Sequence, residues 1–449
     1  MRTSTLILSV MLSGVIVPAA LNPPRAQPAG GRGEALTVAT RDADTPMANA
    51  TVRLSNGCTG VLIRPDIVLT AGHCLEPAPE RTPGEWHSLA AVGVPRSVSF
   101  GVDRTAFRET IPATHYNPAG YDDIVLLALA RPVAPSVAIP QPVLLRTPSP
   151  RPTAFWRGQR FVMAGWGGTE TEAAPRFRLT ANARDGVIPF VSFGVLQPHL
   201  MRVSGEGGAT VIPGDSGSPL YWTNPATGAR TVVGVAQGTE GGGGRYVVTF
   251  GQGGLDSDRR EHPNIAAWLE AGLRVSACAQ LRRQAQVGAP TRNLYNWWSS
   301  GRADHFATAD PEWAGCDGER IVSPAGASYT FTRLEGLLFS PDHPQPEGTV
   351  RLSTWWHAAR GDNFLTSLPD ARPRDPLVGG RYAFVRHEGY LYAPDRPRPA
   401  TPTVPLYSWF NATRGDYFTT TDPRWAGRPG DRREGYVFHR LEGYLLPSR

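Results

Sequence analysis

Two short strings hold the residues best suited to acyl chemistry: LTAGHC at Leu69–Cys74 and GDSGSP at Gly214–Pro219. Between them an acidic pair opens an apolar run, DIVLLAL at Asp123–Leu129, with Asp122 immediately before it. A serine hydroxyl is a poor nucleophile at neutral pH and needs an adjacent general base, which needs a third group to orient it. His73 is a suitable base, because its ordinary pKa lies close to working pH. A carboxylate at Asp123 would fix the imidazole tautomer and stabilise the imidazolium, leaving Ser216 to attack. Gly214 serves a different purpose. An oxyanion hole needs main-chain N–H groups converging on one point, and the amides of Gly214 and Ser216 form the natural pair.

Taken singly, a histidine after an apolar run is a packed core residue and Gly-Asp-Ser-Gly is a turn. Taken together, in the order His, Asp, Ser, the strings resemble the chymotrypsin- and trypsin-like serine proteases over six residues each. Strand alternation lets only one of Asp122 and Asp123 face His73, and the resemblance selects Asp123, which directly precedes the Ile-x-Leu-Leu run. It also implies a disulfide between Cys58 and Cys74 around the histidine, which leaves Cys278 and Cys316 to each other. Further segments are similar to the family. VMAGWG at Val162–Gly167 looks like its Gly-Trp-Gly segment, Val232–Val235 like the strand after the serine, and HPNIAAWLEAGL at His262–Leu273 like its closing helix, with helical spacing at Ile265, Trp268, Leu269 and Leu273. The resemblance runs from about Leu36 to Leu273.

The elements that must position these residues follow from that pattern. CTGVLIRPDIVLTAGHC reads as a strand, a turn at Arg64-Pro65-Asp66 and a second strand that delivers His73. The implied fold is all-β: a double β-barrel with a short C-terminal helix. At the implied substrate pocket Thr210 stands six residues before the serine where an aspartate would select arginine or lysine, so a neutral, small or apolar side chain is expected there. Gln237 and Gly238 lie along one wall, Gln237 where the family usually has a serine supporting the catalytic aspartate. Gly244, with Tyr246, forms the far wall and leaves it open. The family's activation string Ile-Val-Gly-Gly is missing. Glu34–Val38 is the equivalent region, and an amine freed there would pair with Asp215.

The chain of 449 residues is long enough for two or three domains. Residues 1–27 have the charged start, apolar centre and small-residue exit of a secretory signal peptide, and residues 28–35 read as a leader. No other stretch approaches the roughly 20 apolar residues of a membrane span. Four cysteines suit two bridges in an exported protein. No Cys and His cluster has metal-ligand spacing, and the chemistry calls for neither metal nor organic cofactor. A net charge of +6 would suit a nucleic-acid partner, but all 45 basic residues are arginines, dispersed and without a basic run. That bias is the mark of GC-rich, bacterial coding, and nucleic acid is rejected as a partner.

After a linker at 274–292, residues 293–449 repeat. LYNWWSSGRADHFATADPEWAG from Leu294, RLSTWWHAARGDNFLTSLPD from Arg351 and LYSWFNATRGDYFTTTDPRWAG from Leu406 each end in an aromatic strand with Glu-Gly, giving units at about 293–341, 350–394 and 405–449. Each contains an aspartate followed two residues on by phenylalanine: Asp304, Asp362 and Asp416. One such unit cannot bury its aromatic face, whereas three can around an axis. A β-trefoil-like domain or a small propeller is expected. The pattern resembles a repeat of unassigned function in bacterial secreted proteins. The Arg-Gly-Asp strings at Arg360–Asp362 and Arg414–Asp416 read as turns rather than adhesion motifs. The outer members of the pairs Trp297-Trp298 and Trp355-Trp356 could stack on sugar rings. The expected whole is a secreted serine endopeptidase, acting on protein or peptide and spanning residues 36–273, with a carbohydrate-binding or surface-targeting appendage. The competing class is a lectin- or adhesin-like binding protein with a silent protease domain.

Overall fold

A computed structural model describes residues 46–75, 82–102, 105–120, 122–149, 155–156, 159–167, 176–192, 195–205, 211–240, 243–251, 254–255, 261–262, 264–368 and 382–448. The segments expected to be signal peptide and leader, and Thr210, lie outside them.

The β-branched runs of the first half form strands because pleated, half-buried surfaces accommodate such side chains. They are β1 (Thr51–Leu54), β2 (Thr59–Arg64), β3 (Ile67–Thr70), β4 (His87–Ser88), β5 (Ser97–Phe100), β6 (Glu109–Pro118) and β7 (Val125–Leu129). Their order is β4-β6-β5-β1-β2-β3-β7, and a further β6–β7 pairing closes the sheet on itself. Val52, Val61, Ile67, Leu69, Phe100, Ile111 and Leu127 fill its core.

A second barrel is closed in the order β10-β13-β12-β11-β8-β9. Its strands are β8 (Phe161–Gly165), β9 (Arg176–Ser192), β10 (Val195–Gly205), β11 (Pro219–Thr223), β12 (Arg230–Glu240) and β13 (Gly243–Val248). Trp156 anchors this core, edge-on to Trp222 at 5.3 Å and stacked on Phe250 at 5.1 Å. A small ladder, β14 (Gly254–Leu255) with β15 (Glu261–His262), follows. The closing helix spans Ile265–Arg274, with Asn264 accepting from the amide of Ala267 as its N-cap. It buries Ile265, Trp268 and Leu269 and reaches back to the first barrel, where Trp268 Nε1 donates to Asn117 at 2.9 Å.

Segment 274–292, expected as a linker, contains a second helix, Ala277–Gln284, capped by Ser276. It is held on both sides. Gln280 and Gln284 accept from the indole and main-chain N–H of Trp86 in the first barrel, while Arg283 donates to the carbonyls of Pro311 and Glu312 in the repeats. The disulfide Cys278–Cys316 fastens it to the first repeat. The polar composition that reads as linker is what a helix sandwiched between two hydrogen-bonding surfaces needs.

The repeats build one sheet system. Unit one has β16 (Thr291–Ser299), β17 (Asp304–Thr308), β18 (Arg320–Val322) and β19 (Ser328–Phe339); unit two has β20 (Thr349–His357), β21 (Asp362–Thr366) and β22 (Ala383–Tyr392); unit three has β23 (Val404–Asn411), β24 (Asp416–Thr420), β25 (Arg432–Arg433) and β26 (Tyr436–Leu445). Each unit pairs its first strand with both its second and its last. The last strands meet in a ring through Phe339↔Tyr390, Tyr392↔Tyr444 and Leu337↔Leu446. Leu294, Leu338, Leu352, Leu391, Leu406 and Leu445 pack at the junction.

Two circuits of buried carboxylates lock the ring. Asp304 accepts from the amide of Asn363, Asp362 from that of Tyr417, and Asp416 from that of His305, so each unit reaches the next. Glu335 accepts from Thr420 and Thr421, Glu388 from Thr308 and Ala309, and Glu442 from Thr366 and Ser367, running the opposite way round. Burial and the neighbouring aspartates push the Asp304 carboxyl up to about 8; burial, partly offset by the Tyr382 hydroxyl, pushes Asp362 up to about 7.

Candidate active site

The turn at Arg64–Asp66 and the strands on either side bring β3 to its end at Thr70, and a short 3-10 turn, Gly72–Leu75, then presents His73. Asp123 sits in the bend just before β7, which pairs with β3 from Thr70↔Val125 onward. That pairing joins two groups 50 residues apart in sequence: His73 Nδ1 lies 2.8 Å from Asp123 Oδ2, and the main-chain N–H of His73 donates to Asp123 Oδ1 at 2.7 Å. With Nδ1–H directed at the carboxylate, Nε2 is the nitrogen left for other work. Gly72 is required for this approach, since a side chain there would meet Asp123 Oδ1 at 3.1 Å. Asp122 turns aside, half-buried, its carbonyl accepting from Ile124. The disulfide Cys58–Cys74 clasps the base of β2 to the turn carrying His73.

Ser216 lies in a tight turn between the amide of Asp215, which donates to Ile212 O, and Ser218, whose amide donates to Asp215 O. The Ser216 carbonyl accepts from the amide of Thr59 in the first barrel at 2.9 Å and stands 3.7 Å from Cys74 Sγ, beside the histidine. Gly217 (φ 81°) wedges the turn against the end of β3, where an added side chain would meet Thr70 Oγ1 at 2.1 Å. Gly214 (φ 92°) is likewise in the left-handed region that favours glycine. Among the described residues the amides of Gly214 and Ser216 donate to no acceptor. Asp215 is fully buried and accepts from the amides of Gly167 at 2.9 Å and Ile212 at 3.1 Å.

Several of these contributors escape a sequence reading. Thr59 pins the nucleophile turn twice, through its amide to Ser216 O and through Oγ1 to Gly214 O at 2.7 Å, while Oγ1 also accepts from the amide of Trp166. A threonine opening a strand carries no signal of that role. Gly72 and Gly217 do carry one, as glycines flanking the two reactive side chains.

The pocket residues are placed unevenly. Gln237 and Gly238 are half-buried on β12, and Gln237 Oε1 is buried with no hydrogen-bond partner among the described residues. Gly244 is buried, and the direction in which a side chain would project from it is filled by Val211 Cγ2 and the Tyr246 ring, within 2.6 to 2.8 Å of a Cβ. That wall is packed rather than open, because the inward-facing tyrosine occupies the space the missing side chain leaves.

In the repeats the Arg-Gly-Asp aspartates are buried, and the three carboxylates Asp304, Asp362 and Asp416 gather within 4.8 Å. The aromatic members expected to face sugars are covered instead. Arg302 lies 4.7 Å over Trp356, Arg414 5.8 Å over Trp298 and Arg360 5.9 Å over Phe410, each guanidinium coming from the preceding unit in the ring.

Residues 38–250 match the Trypsin family model. Human serine protease 56 is 31% identical over 194 residues, 40% of this chain and 30% of that protein. A trypsin-like protease of Streptomyces glaucescens is 29% identical over 181 residues, 38% of this chain and 60% of that protein. Phenoloxidase-activating factor 3 of Holotrichia diomphalia is 28% identical over 214 residues, 42% of this chain and 59% of that protein. The chain thus spans between 30% and 60% of the length of these relatives. Among solved structures, a mutant of human heparin binding protein superposes with a TM-score of 0.33 at 20% identity, covering 46% of this chain and 88% of that one. Over residues 38–250 the chain carries a domain of the trypsin family, whose homologues are serine endopeptidases with a chymotrypsin-like barrel fold.

Proposed function

We propose that the chain is an exported serine endopeptidase with a saccharide- or surface-binding appendage. Ser216 attacks the peptide carbonyl while His73 Nε2 takes the hydroxyl proton and then delivers it to the leaving amine. Asp123 holds the imidazole and stabilises it when charged. The amides of Gly214 and Ser216 receive the tetrahedral oxyanion. Water then repeats the sequence to release the acyl group. The observation that carries this reading is the double clamp of Asp123 on His73, at both the ring and the main chain. Two disulfides favour an oxidising compartment and hence export. The primary pocket takes a neutral side chain.

A fluorophosphonate probe tests the reading, since it reacts quickly only with an activated serine. The full chain should be labelled and Ser216→Ala should not, with a loss of about 10⁶ in kcat. No labelling of the folded, mature chain would favour the silent binding protein. Cleavage of a peptide library chiefly after arginine would overturn the pocket assignment.

For the appendage, radial repetition of short sheets about one axis favours a small three-bladed propeller over a trefoil. Residues 293–448 then form a second domain, hinged to the first through the helix Ala277–Gln284.

A further inference from the structure

Unit two departs from the other two units around the tryptophan of its first strand. Trp297 and Trp409 donate their indole N–H groups to the carbonyls of Trp313 (3.1 Å) and Trp425 (3.0 Å) and pack edge-on against those same tryptophans. Their counterpart in unit two, Trp355, is 8% exposed, and its buried Nε1 has no hydrogen-bond partner among the described residues. In sequence, Ala371 of SLPDARP stands where ADPEWAG and TDPRWAG have tryptophan.

Two more positions change in the same unit. The cross-strand pairs Tyr295↔Leu334 and Tyr407↔Leu441 become Ser353↔His387. Ser353 Oγ and His387 Nδ1 lie 2.9 Å apart. A tyrosine ring and a leucine are thus exchanged for a small hydrogen-bonded pair. A groove of about 570 Å³ opens there, lined by Arg351, Ser353, Trp355, Phe384, His387 and Tyr390 among others. Phe384 offers an exposed ring, set edge-on to Trp355 at 5.5 Å. Arg351 lies over the Tyr390 ring and donates to its hydroxyl at 3.3 Å, with no carboxylate partner among the described residues. Among the described residues the groove's lining includes no acidic side chain. Partial burial and the nearby Arg351 guanidinium lower the His387 pKa, so the ring stays neutral at neutral pH.

We propose that this groove of unit two binds an acidic saccharide of the uronate class. The sugar's C–H face lies on Phe384 and its carboxylate pairs with Arg351. A ring hydroxyl accepts from Trp355 Nε1, and others exchange hydrogen bonds with the Ser353–His387 pair. A carboxylate satisfies the Arg351 guanidinium, which has no counter-charge among the described residues and which a neutral sugar leaves unpaired. The vacated aromatic volume accommodates a ring of similar thickness. The proposal rests on the reading of the appendage as a saccharide module and names its site and ligand class.

The test is titration of the full chain with trigalacturonate and, separately, maltotriose, followed by tryptophan fluorescence and calorimetry. Trigalacturonate should bind, more weakly as salt is raised. Arg351→Gln should weaken it at least tenfold. The double variant Ser353→Tyr/His387→Leu restores the pair used by the other units, and it should abolish binding while leaving fluorophosphonate labelling unchanged. If that variant fails to fold, Arg351→Glu decides the matter, and its unaltered binding would overturn the proposal. Undiminished binding by a folded double variant would place the site elsewhere and overturn it. Binding of maltotriose alone, lost on filling the groove, would overturn the uronate class but keep the saccharide reading. No binding of either sugar would overturn both.

Discussion

At the scale of single residues, the reactive centre depends on close approach more than on unusual side chains. Asp123 engages His73 at two atoms because Gly72 leaves room for it, and Ser216 is positioned by its carbonyl rather than its hydroxyl. Asp123→Asn keeps the shape but offers an amide N–H or a weaker acceptor to Nδ1, which favours the wrong tautomer. We expect kcat to fall about 10⁴-fold at neutral pH with KM little changed, measured on a chromogenic ester. A fall below tenfold would mean that the imidazole is oriented by something else. The pairing of His73 with Asp123 was legible because each candidate residue sits among small or apolar neighbours, as Ser216 does. Thr59 was not, because it satisfies main-chain groups of a turn over 150 residues away, and no local pattern encodes so distant a partner.

Among elements, the helix Ala277–Gln284 joins the two halves. Its glutamines engage Trp86, its arginines engage Pro311, Glu312 and Gly315, and Asp66 accepts from the amide of Cys278. Burial raises the Asp66 carboxyl, against the pull of that amide and of Arg64. The bridge to Cys316 closes a loop with a sequence separation of 38 residues; by chain entropy such a loop is worth about 4 kcal/mol. Replacing both cysteines with serine should lower the Tm of the repeats by several degrees and expose Gln284–Thr291 to limited proteolysis, with peptidase activity retained. Unchanged melting would show that the hydrogen bonds alone hold the helix. The strands flanking His73 and the closing helix followed from alternation and helical spacing. The second helix did not, because its exposed Gln and Arg side chains mimic a solvated connector until both partner surfaces are present.

For the whole molecule, the carboxylates of the repeat ring make stability depend on pH. Asp304 and Asp362, at about 8 and about 7 in the fold, both lie above the ordinary carboxylate value of 3.8. The folded state therefore binds more protons than the unfolded chain between about pH 4 and 8, and stability falls as pH rises through that window. The Tm of the repeats should drop steadily from pH 5 to pH 8.5. Asp304→Asn, which needs no proton, should flatten the slope, and a rise in Tm with pH would contradict the assignment. The period was legible here from three aligned copies. The reversal of direction between the aspartate and glutamate circuits was not, because it depends on which neighbour each unit faces.

That interlock makes the domain one that counts to three. Unit one cannot complete its perimeter until Leu446, which follows the last strand of unit three, reaches Leu337. A chain lacking β26 would lose Glu442 and leave the buried Thr366 hydroxyl and the Ser367 amide and hydroxyl of unit two without their acceptor. No two units can stand in for the third, because each supplies acceptors that only its neighbours' donors fill.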